Sequence, residues 1–351
     1  ALLAHPNIAS KHWVIRQYDH EVQGGSAVKP LGGPGADAPM DAAVIRPKLD
    51  ARRGLAISCG LQTMLGDIDP YWMTLAAIDE AVRNAVCVGA DPTRIAVLDN
   101  FCWPSCDDSR NLGSLVRAAE ACYDGALAYR TPFISGKDSL NNQFTTEAGQ
   151  TIAIPPTLLI SAVGMVEDVD RCVTMDVKAP GNVLVQIGAT TAAMGGSHCA
   201  AEAGEPATPR IPHVNLRSAP RTLAAVADLI ARRLVRSAHD CSEGGLLVAV
   251  AEMAFAGGRG VDVDLAGVPA EGELPSLAAC FAETPTRLVV EVAPESFDAV
   301  ARALTDAGVP FGQVGTVTDS DRLTVRAPQT GELMNESIQD LRTAWRKPLD
   351  W

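Results

Sequence analysis

Segments with the apolar character of β-strands alternate with segments of helical periodicity along this whole chain. Strand-like segments occur at 42–45, 54–58, 94–98, 157–163, 182–188, 288–292 and 311–317, and helix-like segments at 70–88, 113–129, 222–236, 246–256 and 296–307. Because every apolar face must be buried against another element, this alternation predicts an α/β fold in which helices cover sheets. One more strand is predicted at 13–18. The pattern restarts around 167–180, so we expect two domains, 1–177 and 178–351.

The segment 70–88 has the clearest helix signals. Asp69 suits the N-cap position and Pro70 suits the first helical position. An apolar stripe runs along one side, formed by Leu75, Ile78, Val82 and Val86. The opposite side has small residues together with Glu80 and Asn84, which lie one turn apart. This side is either a solvated face or, given its low charge, a surface that another part of the molecule approaches closely.

Composition and charge exclude several classes of partner. The chain has 29 basic and 42 acidic residues, a net charge of −13 and no basic run, which argues against nucleic acid and anionic membranes. No apolar run is long enough to cross a bilayer and no signal peptide opens the sequence, so we expect a cytoplasmic protein.

The nine cysteines are scattered and odd in number, which is typical of reduced thiols. Residues 1–9 resemble the continuation of an earlier segment, and we expect a fragment of a longer polypeptide.

The stretch 134–140 places Gly136, Lys137, Asp138 and Ser139 between apolar residues. Glycine lets a backbone approach a phosphate, lysine supplies positive charge, and the carboxylate and hydroxyl supply oxygens for a metal or a substrate. We therefore predict a ligand-binding loop at a strand end, with an ordinary polar turn as the alternative. The preceding strand ends at Asp99, which is a common place for a metal or ligand contact in α/β folds.

A second polar stretch, 238–245, lies directly before the helix-like segment 246–256. Its glycines and Ser242 favour an anion site at a helix N-terminus, although Ser242 could simply cap the helix. Asp240 and Glu243 would repel a bare phosphate, and a bridging cation would remove that conflict. His239 and His198 also lie beside motifs, and both are interpreted as structural.

Five blocks, in this order and with these gaps, carry a resemblance to one family. They are 16–22 (RQYDHEV), 80–84 (EAVRN), 99–100 (DN), 136–139 (GKDS) and 239–246 (HDCSEGGL). Over essentially its whole length the chain resembles the C-terminal half of the synthetase subunit of phosphoribosylformylglycinamidine synthase. The resemblance implies an N-terminal A domain with a ferredoxin-like half-barrel, followed by an α/β B domain, as in aminoimidazole ribonucleotide synthetase.

The resemblance also implies an activity, that of a carbon–nitrogen ligase with glutamine as amido donor. ATP phosphorylates the amide oxygen of formylglycinamide ribonucleotide, and ammonia then displaces the phosphate to give formylglycinamidine ribonucleotide. The implied partners are the N-terminal half of the same synthetase, a small accessory subunit and, because the chain ends at Trp351, a separate glutaminase subunit. The catalytic histidine belongs to the N-terminal half, so this chain alone is expected to be inactive. The alternatives are a non-catalytic half that holds ADP and Mg²⁺, and a sister ATP-dependent enzyme such as aminoimidazole ribonucleotide synthetase.

Two sets of site residues are implied by the resemblance. Asp99, Gly136 and Lys137 match ATP-binding positions, and Ser139 matches a substrate-binding position. Lys137 stands where many members have a magnesium-binding asparagine, and an ammonium group cannot ligate Mg²⁺. The second set is an auxiliary nucleotide site, in which Lys11, Asp240 and Ser242 match nucleotide contacts, and Asp41, Glu80, Asn84 and Asp240 match Mg²⁺ ligands.

Overall fold

The structure of the protein is a computed structural model that describes residues 1–204 and 210–350; Trp351, used above to infer a separate glutaminase, lies outside them. The described residues form the predicted alternation of helices and strands, which confirms the α/β class. The helices are α1 (His12–Arg16), α2 (Pro70–Cys87), α3 (Ser109–Tyr129), α4 (His198–Glu202), α5 (Ala219–Ala231), α6 (Gly245–Gly257), α7 (Ser276–Phe281), α8 (Phe297–Asp306) and α9 (Ile338–Arg346).

Strands up to residue 166 are β1 (Ser26–Val28), β2 (Leu31–Gly32), β3 (Ala38–Pro39), β4 (Ala43–Ile45), β5 (Gly54–Leu61), β6 (Ile95–Cys102), β7 (Phe133–Ser139), β8 (Gln143–Thr145), β9 (Thr151–Ala153) and β10 (Thr157–Val166). Later strands are β11 (Val183–Ile187), β12 (Ser237–Asp240), β13 (Gly260–Asp264), β14 (Leu288–Val292), β15 (Phe311–Thr318), β16 (Arg322–Ala327) and β17 (Gly331–Ser337).

The first sheet has the strand order β1-β4-β5-β10-β6-β7 and is antiparallel except for the β6–β7 pair. Helix α2 packs on β5 and β10 and against α3. The predicted cap is confirmed, since Asp69 Oδ1 accepts the backbone N–H groups of Tyr71 at 2.9 Å and Trp72 at 3.4 Å. Every α2 residue from Met73 to Cys87 is buried, so its polar side is a packing surface rather than a solvated face.

The second sheet has the strand order β12-β14-β11-β15-β13-β16-β17 and is covered on both faces. Val185 and Ile187 of β11 belong to one apolar core with α5 and α8, whereas Leu184 belongs to a second core with α6 and α9. The first of these cores also contains the apolar side of α2, which contacts both α5 and β12. Helix α2 therefore joins the two sheets and brings its polar residues close to the end of β12.

Two predictions about local structure are wrong. Residues 13–18 do not form a strand, because His12–Arg16 is a short helix; a brief apolar run does not distinguish the two by periodicity alone. The stretch 136–139 is not a loop, because it forms the end of strand β7, where parallel pairing with β6 keeps it extended. For the same reason β6 does not end at Asp99, as predicted, but continues to Cys102.

No helix among residues 1–204 and 210–350 has the length and apolar character needed to span a membrane.

Candidate functional site

A cavity of about 440 Å³ lies where three parts of the chain meet. One wall is the N-terminal segment 6–11, the second is formed by residues 39–41 with β5 and α2, and the third is formed by the end of β12 and by α6. All residues that the resemblance assigns to the auxiliary site line this one cavity: Lys11, Asp41, Glu80, Asn84, Asp240 and Ser242. The volume lies within the range of small-molecule sites in proteins. The structure thus brings these residues together, while their roles in binding stay predictions.

Asp41 and His239 form the contact between the second and third walls. His239 Nδ1 lies 2.9 Å from Asp41 Oδ1, and its Nε2 lies 3.0 Å from Glu252 Oε2 on α6. The backbone N–H of Asp240 also donates to Asp41 Oδ1, at 2.9 Å. Burial by itself would lower the pKa of His239, but the two carboxylates outweigh it and raise that pKa well above its usual value.

Glu80 is held at the C-terminal end of β5 by two donors. Its Oε2 accepts the backbone N–H of Leu61 at 2.8 Å and the side-chain amide of Gln62 at 2.9 Å. Burial, followed by the charges of Glu243 and Asp240, raises the pKa of Glu80 well above its usual value. A cation in the cavity would relieve this repulsion.

Asn84 lines the cavity and has an unpaired side-chain oxygen. Its Nδ2 donates to the carbonyl of Cys59 at 3.0 Å, but its buried Oδ1 has no hydrogen-bond partner among the described residues. The side chain is 9% exposed. A buried polar atom without a partner is costly, and an amide oxygen is a ligand that Mg²⁺ accepts. The donor set therefore fits a bound Mg²⁺, with carboxylate and amide oxygens in one cavity.

Arg83 neutralises part of this acidic cluster. Its guanidinium pairs with Asp79 one turn earlier and donates to Asp240 Oδ2 at 3.1 Å and to Ser242 Oγ at 2.7 Å. Asp79 in turn accepts the hydroxyl of Tyr129 at 2.5 Å and the backbone N–H of Thr286 at 2.8 Å. Arg83 is a residue of the cluster for which the sequence alone predicts no role. The available signals were its i, i+4 spacing from Asp79 and its place in the 80–84 block.

Lys11 carries a positive charge into the acidic cavity. Its Nζ donates to the carbonyls of Ala9 at 2.6 Å and Asn7 at 3.0 Å, so two of its three N–H donors are used locally. Burial lowers the pKa of Lys11, while Glu243 and Glu252 oppose that shift. The segment itself is anchored by Trp345 of α9, whose Nε1–H donates to the carbonyl of Ile8 at 3.0 Å.

Glu243 and Glu252 also line the cavity, although neither belongs to the predicted ligand set. Burial, with a contribution from Glu283, raises the pKa of Glu243 to about 8. With Asp41, Glu80 and Asp240 they make five carboxylates in one cavity. A bare phosphate would be repelled here, and a phosphorylated ligand requires a bridging cation.

The ATP- and substrate-binding residues predicted at 99 and 136–139 lie elsewhere, on the edge of the first sheet. Asp99 on β6 is the register partner of Gly136 on β7, and the Nζ of Lys137 donates to Ser139 Oγ at 2.5 Å. A Cβ atom on Gly136 would lie only 2.4 Å from Asp99 Oδ1, so the carboxylate needs a glycine beside it. Gly136, Lys137 and Asp138 are exposed. These residues form an open polar edge, separate from the cavity.

Models of two protein domains match most of the chain. Residues 39–166 match "AIR synthase related protein, N-terminal domain", and residues 179–328 match "AIR synthase related protein, C-terminal domain". Among curated proteins, the chain is 36% identical over 351 residues to phosphoribosylformylglycinamidine synthase subunit PurL of Alkaliphilus metalliredigens, covering 99% of this chain and 44% of that protein. The subunit of the same name from Deinococcus radiodurans is 34% identical over 353 residues, covering 99% and 45%. The chain thus spans less than half the length of these relatives.

Solved structures from Thermotoga maritima share the fold. PurL complexed with FGAR gives a TM-score of 0.72 at 21% identity, covering 89% of this chain and 49% of that chain. PurL complexed with ATP gives 0.70 at 19%, covering 90% and 47%, and the structure of PurLQS gives 0.72 at 20%, covering 91% and 48%. At these identities the likeness shows the fold alone. From the two domain matches and this shared fold, the chain belongs to the AIR synthase related family, whose N-terminal and C-terminal domains it carries in that order.

Proposed function

We propose that this chain is the C-terminal half of a synthetase that converts formylglycinamide ribonucleotide, ATP and ammonia to formylglycinamidine ribonucleotide. Relatives at 34–36% identity are named as subunits of that synthase, and one neighbouring structure holds FGAR and another ATP. In the reaction, the amide oxygen attacks the γ-phosphorus of ATP and ADP leaves. Ammonia then adds to the activated carbon, and inorganic phosphate leaves with that oxygen. Such chemistry needs positioning and charge neutralisation rather than a covalent nucleophile.

The observation that carries this proposal is the incomplete polar edge at β6 and β7. Asp99, Gly136 and Lys137 would contact ATP, and Ser139 would contact the substrate, yet the edge is open to solvent. Lys137 would neutralise phosphate charge directly, because its ammonium cannot ligate Mg²⁺. A site of this kind needs a second wall, which the N-terminal half would supply together with the catalytic histidine.

Apolar groups around this edge support such a partner. Ile134 on β7 is exposed, and the β8–β9 hairpin pairs Phe144 with Ile152 across its strands at 66% and 56% exposure. Exposed apolar clusters of this kind mark protein–protein contacts. A two-stranded hairpin is only marginally stable by itself, so this one is expected to gain stability from a covering surface.

A complementation assay tests the proposed reaction. The chain is mixed with ATP, formylglycinamide ribonucleotide and ammonium, with and without the separately produced N-terminal half, and amidine is measured by mass spectrometry. We expect product only from the mixture of halves. The N-terminal half alone is the control, and amidine formed by the present chain alone would contradict a shared site.

For the cavity, we propose an auxiliary site for ADP with Mg²⁺. Lys11, Asp240 and Ser242 would hold the nucleotide. Mg²⁺ would be held by Asp41, Glu80, Asn84 and Asp240, and when bound it would supply positive charge that offsets the negative charge of the carboxylates and of the nucleotide. The unpaired Oδ1 of Asn84 is the observation that favours this second function.

Titration calorimetry with ADP and Mg²⁺ tests the auxiliary site. The Asp41→Ala, Glu80→Ala double variant should lose binding, while an Asp19→Ala, Glu21→Ala variant, in which both changed residues are exposed, should bind normally. Equal affinity of the wild type and the Asp41/Glu80 variant would remove these two residues from the ligand set.

We propose a separate glutaminase and a small accessory subunit as partners in the cytoplasm, with glutamine as the source of ammonia. The PurLQS structure, to which this chain is similar in fold, supports an assembly of several subunits. A sister enzyme such as aminoimidazole ribonucleotide synthetase is less favoured, since the curated relatives described here are synthase subunits.

A further inference from the structure

His239 bridges two carboxylates that belong to different parts of the molecule. It lies on β12, next to Asp240, and is 8% exposed. One ring nitrogen faces Asp41 at 2.9 Å and the other faces Glu252 at 3.0 Å. Both nitrogens are therefore engaged, and the ring plane is fixed from two sides.

This arrangement occupies one oxygen of the Asp41 carboxylate, Oδ1. Asp41 Oδ1 accepts from the His239 ring and from the backbone N–H of Asp240, and both distances are 2.9 Å. A carboxylate held through one oxygen by two donors cannot rotate without breaking both bonds. Neither of these two donors uses Oδ2, and Oδ2 is the oxygen that would serve a cation.

Glu252 acts at the other end of the same chain of contacts. It belongs to α6 and lines the cavity, and its Oε2 fixes His239 Nε2. The contacts thus run from the carboxylate of Asp41 through the imidazole of His239 to the carboxylate of Glu252. They connect the segment after β3 with β12 of the second sheet and with α6. In metal sites, an imidazole or carboxylate behind a ligand holds that ligand in its binding orientation.

We propose that His239, held by Glu252, is a positioning residue that orients Asp41 as a cation ligand in the cavity. The proposal rests on the proposed auxiliary site. His239 does not itself ligate the metal, because neither ring nitrogen is left to it. It acts on affinity for the cation through the direction of the Asp41 carboxylate.

The alternative is direct ligation. Single ligand atoms of Asp41, His239 and Asp240 lie within 4.8 Å of one another, which a metal with nitrogen affinity could exploit. Positioning and direct ligation differ in which replacement of His239 would restore binding of the cation. A positioning role needs only a donor towards Asp41, whereas ligation needs a lone pair on nitrogen.

Three variants and Mn²⁺ separate these roles. Binding of Mn²⁺ with ADP is followed by electron paramagnetic resonance, which reports the bound metal without any activity. His239→Ala should weaken binding about 10- to 100-fold, as is usual for partners behind a metal ligand. His239→Asn, whose amide can donate towards Asp41, should stay within about threefold of the wild type. His239→Gln places its amide towards Glu252 and should behave like His239→Ala.

Controls keep each outcome interpretable. His20→Asn changes a partly exposed histidine away from the cavity and should bind as the wild type does, and circular dichroism checks that every variant folds. Equal affinity in wild type and His239→Ala would overturn the positioning role, and so would failure of His239→Asn to restore binding. If the wild type itself binds no Mn²⁺–ADP, the auxiliary site fails and this inference fails with it.

Discussion

At the scale of single residues, the cavity is lined by polar groups that lack a hydrogen-bond partner or lie beside groups of the same charge. Asn84 donates to Cys59 but leaves its own oxygen unpaired, and Glu80 carries a raised pKa among other carboxylates. A protein tolerates such groups when a ligand completes them. Asn84 is the most direct indicator of a missing ligand, because its amide is uncharged at every pH.

Replacing Asn84 by leucine should separate binding from stability. We expect affinity for ADP with Mg²⁺ to fall at least about tenfold, because a ligand oxygen is lost. Stability of the unliganded protein should change by less than about 1 kcal/mol, because removal of the unpaired oxygen offsets the lost bond to Cys59. Calorimetry and urea denaturation measure the two effects. A large loss of stability with unchanged affinity would contradict the ligand role.

Gly136 permits a separate prediction at the polar edge. In Gly136→Ala the new methyl group would meet the carboxylate of Asp99 at 2.4 Å, so Asp99 must move. We expect a higher KM for ATP in the complemented enzyme, measured by ADP release. Gly113→Ala is the matched control, since nothing lies within 4 Å of its added Cβ and it is inside α3. That control should keep the KM and gain about 0.5–1 kcal/mol of stability.

At the scale of elements, α2 holds the two halves of the cavity together. Its Asp79–Arg83 pair is almost completely buried, at 0% and 2% exposure, and reaches Thr286 and Asp240 in the second domain match. Buried ion pairs contribute little net stability compared with apolar residues, but breaking one leaves an uncompensated charge. The stability of α2 in its place therefore depends on both Asp79 and Arg83 being present.

Asp79→Ala should destabilise the protein by about 3–5 kcal/mol, because Arg83 then loses one of its two buried carboxylate partners. Asp228→Ala removes a pair of the same i,i+4 spacing with Arg232, both half exposed, and should change stability by less than about 0.5 kcal/mol. Chemical denaturation of the two variants gives the comparison. Similar small losses in both would show that the buried network does not hold the domains.

At the scale of the whole molecule, β7 and the β8–β9 hairpin present large apolar side chains that the described residues leave exposed. The face around β7 and the β8–β9 hairpin carries exposed Ile134, Phe144 and Ile152. The chain spans less than half the length of its curated relatives, so a large part of those proteins has no counterpart here. We expect the N-terminal half to dock on this face.

The double variant Phe144→Ser, Ile152→Thr should weaken association with the N-terminal half at least about tenfold, since apolar anchors dominate such interfaces. Its own stability should stay within about 0.5 kcal/mol, because both side chains are exposed. Leu277→Ser, a change at an exposed leucine of α7, serves as the control. Sedimentation of the mixed halves measures the association. An undiminished affinity would place the interface elsewhere.

The amino-acid sequence by itself determined the features that depend on neighbouring residues. The α/β alternation and the Asp69 cap of α2 follow from local periodicity and capping. The same local signals failed at 13–18 and 136–139, where a short run allows either structure and pairing with a neighbouring strand decides.

Only the tertiary structure decided which distant residues share a site. The cavity is lined by residues that are far apart in the sequence: Lys11, Asp41, Glu80 and Asp240. They share it because α2 packs between the two sheets. The partners of these residues also come from packing: Arg83 reaches Asp240, and His239 reaches Asp41 and Glu252. Periodicity reports which side of an element is buried, but it carries no information on what lies against that side.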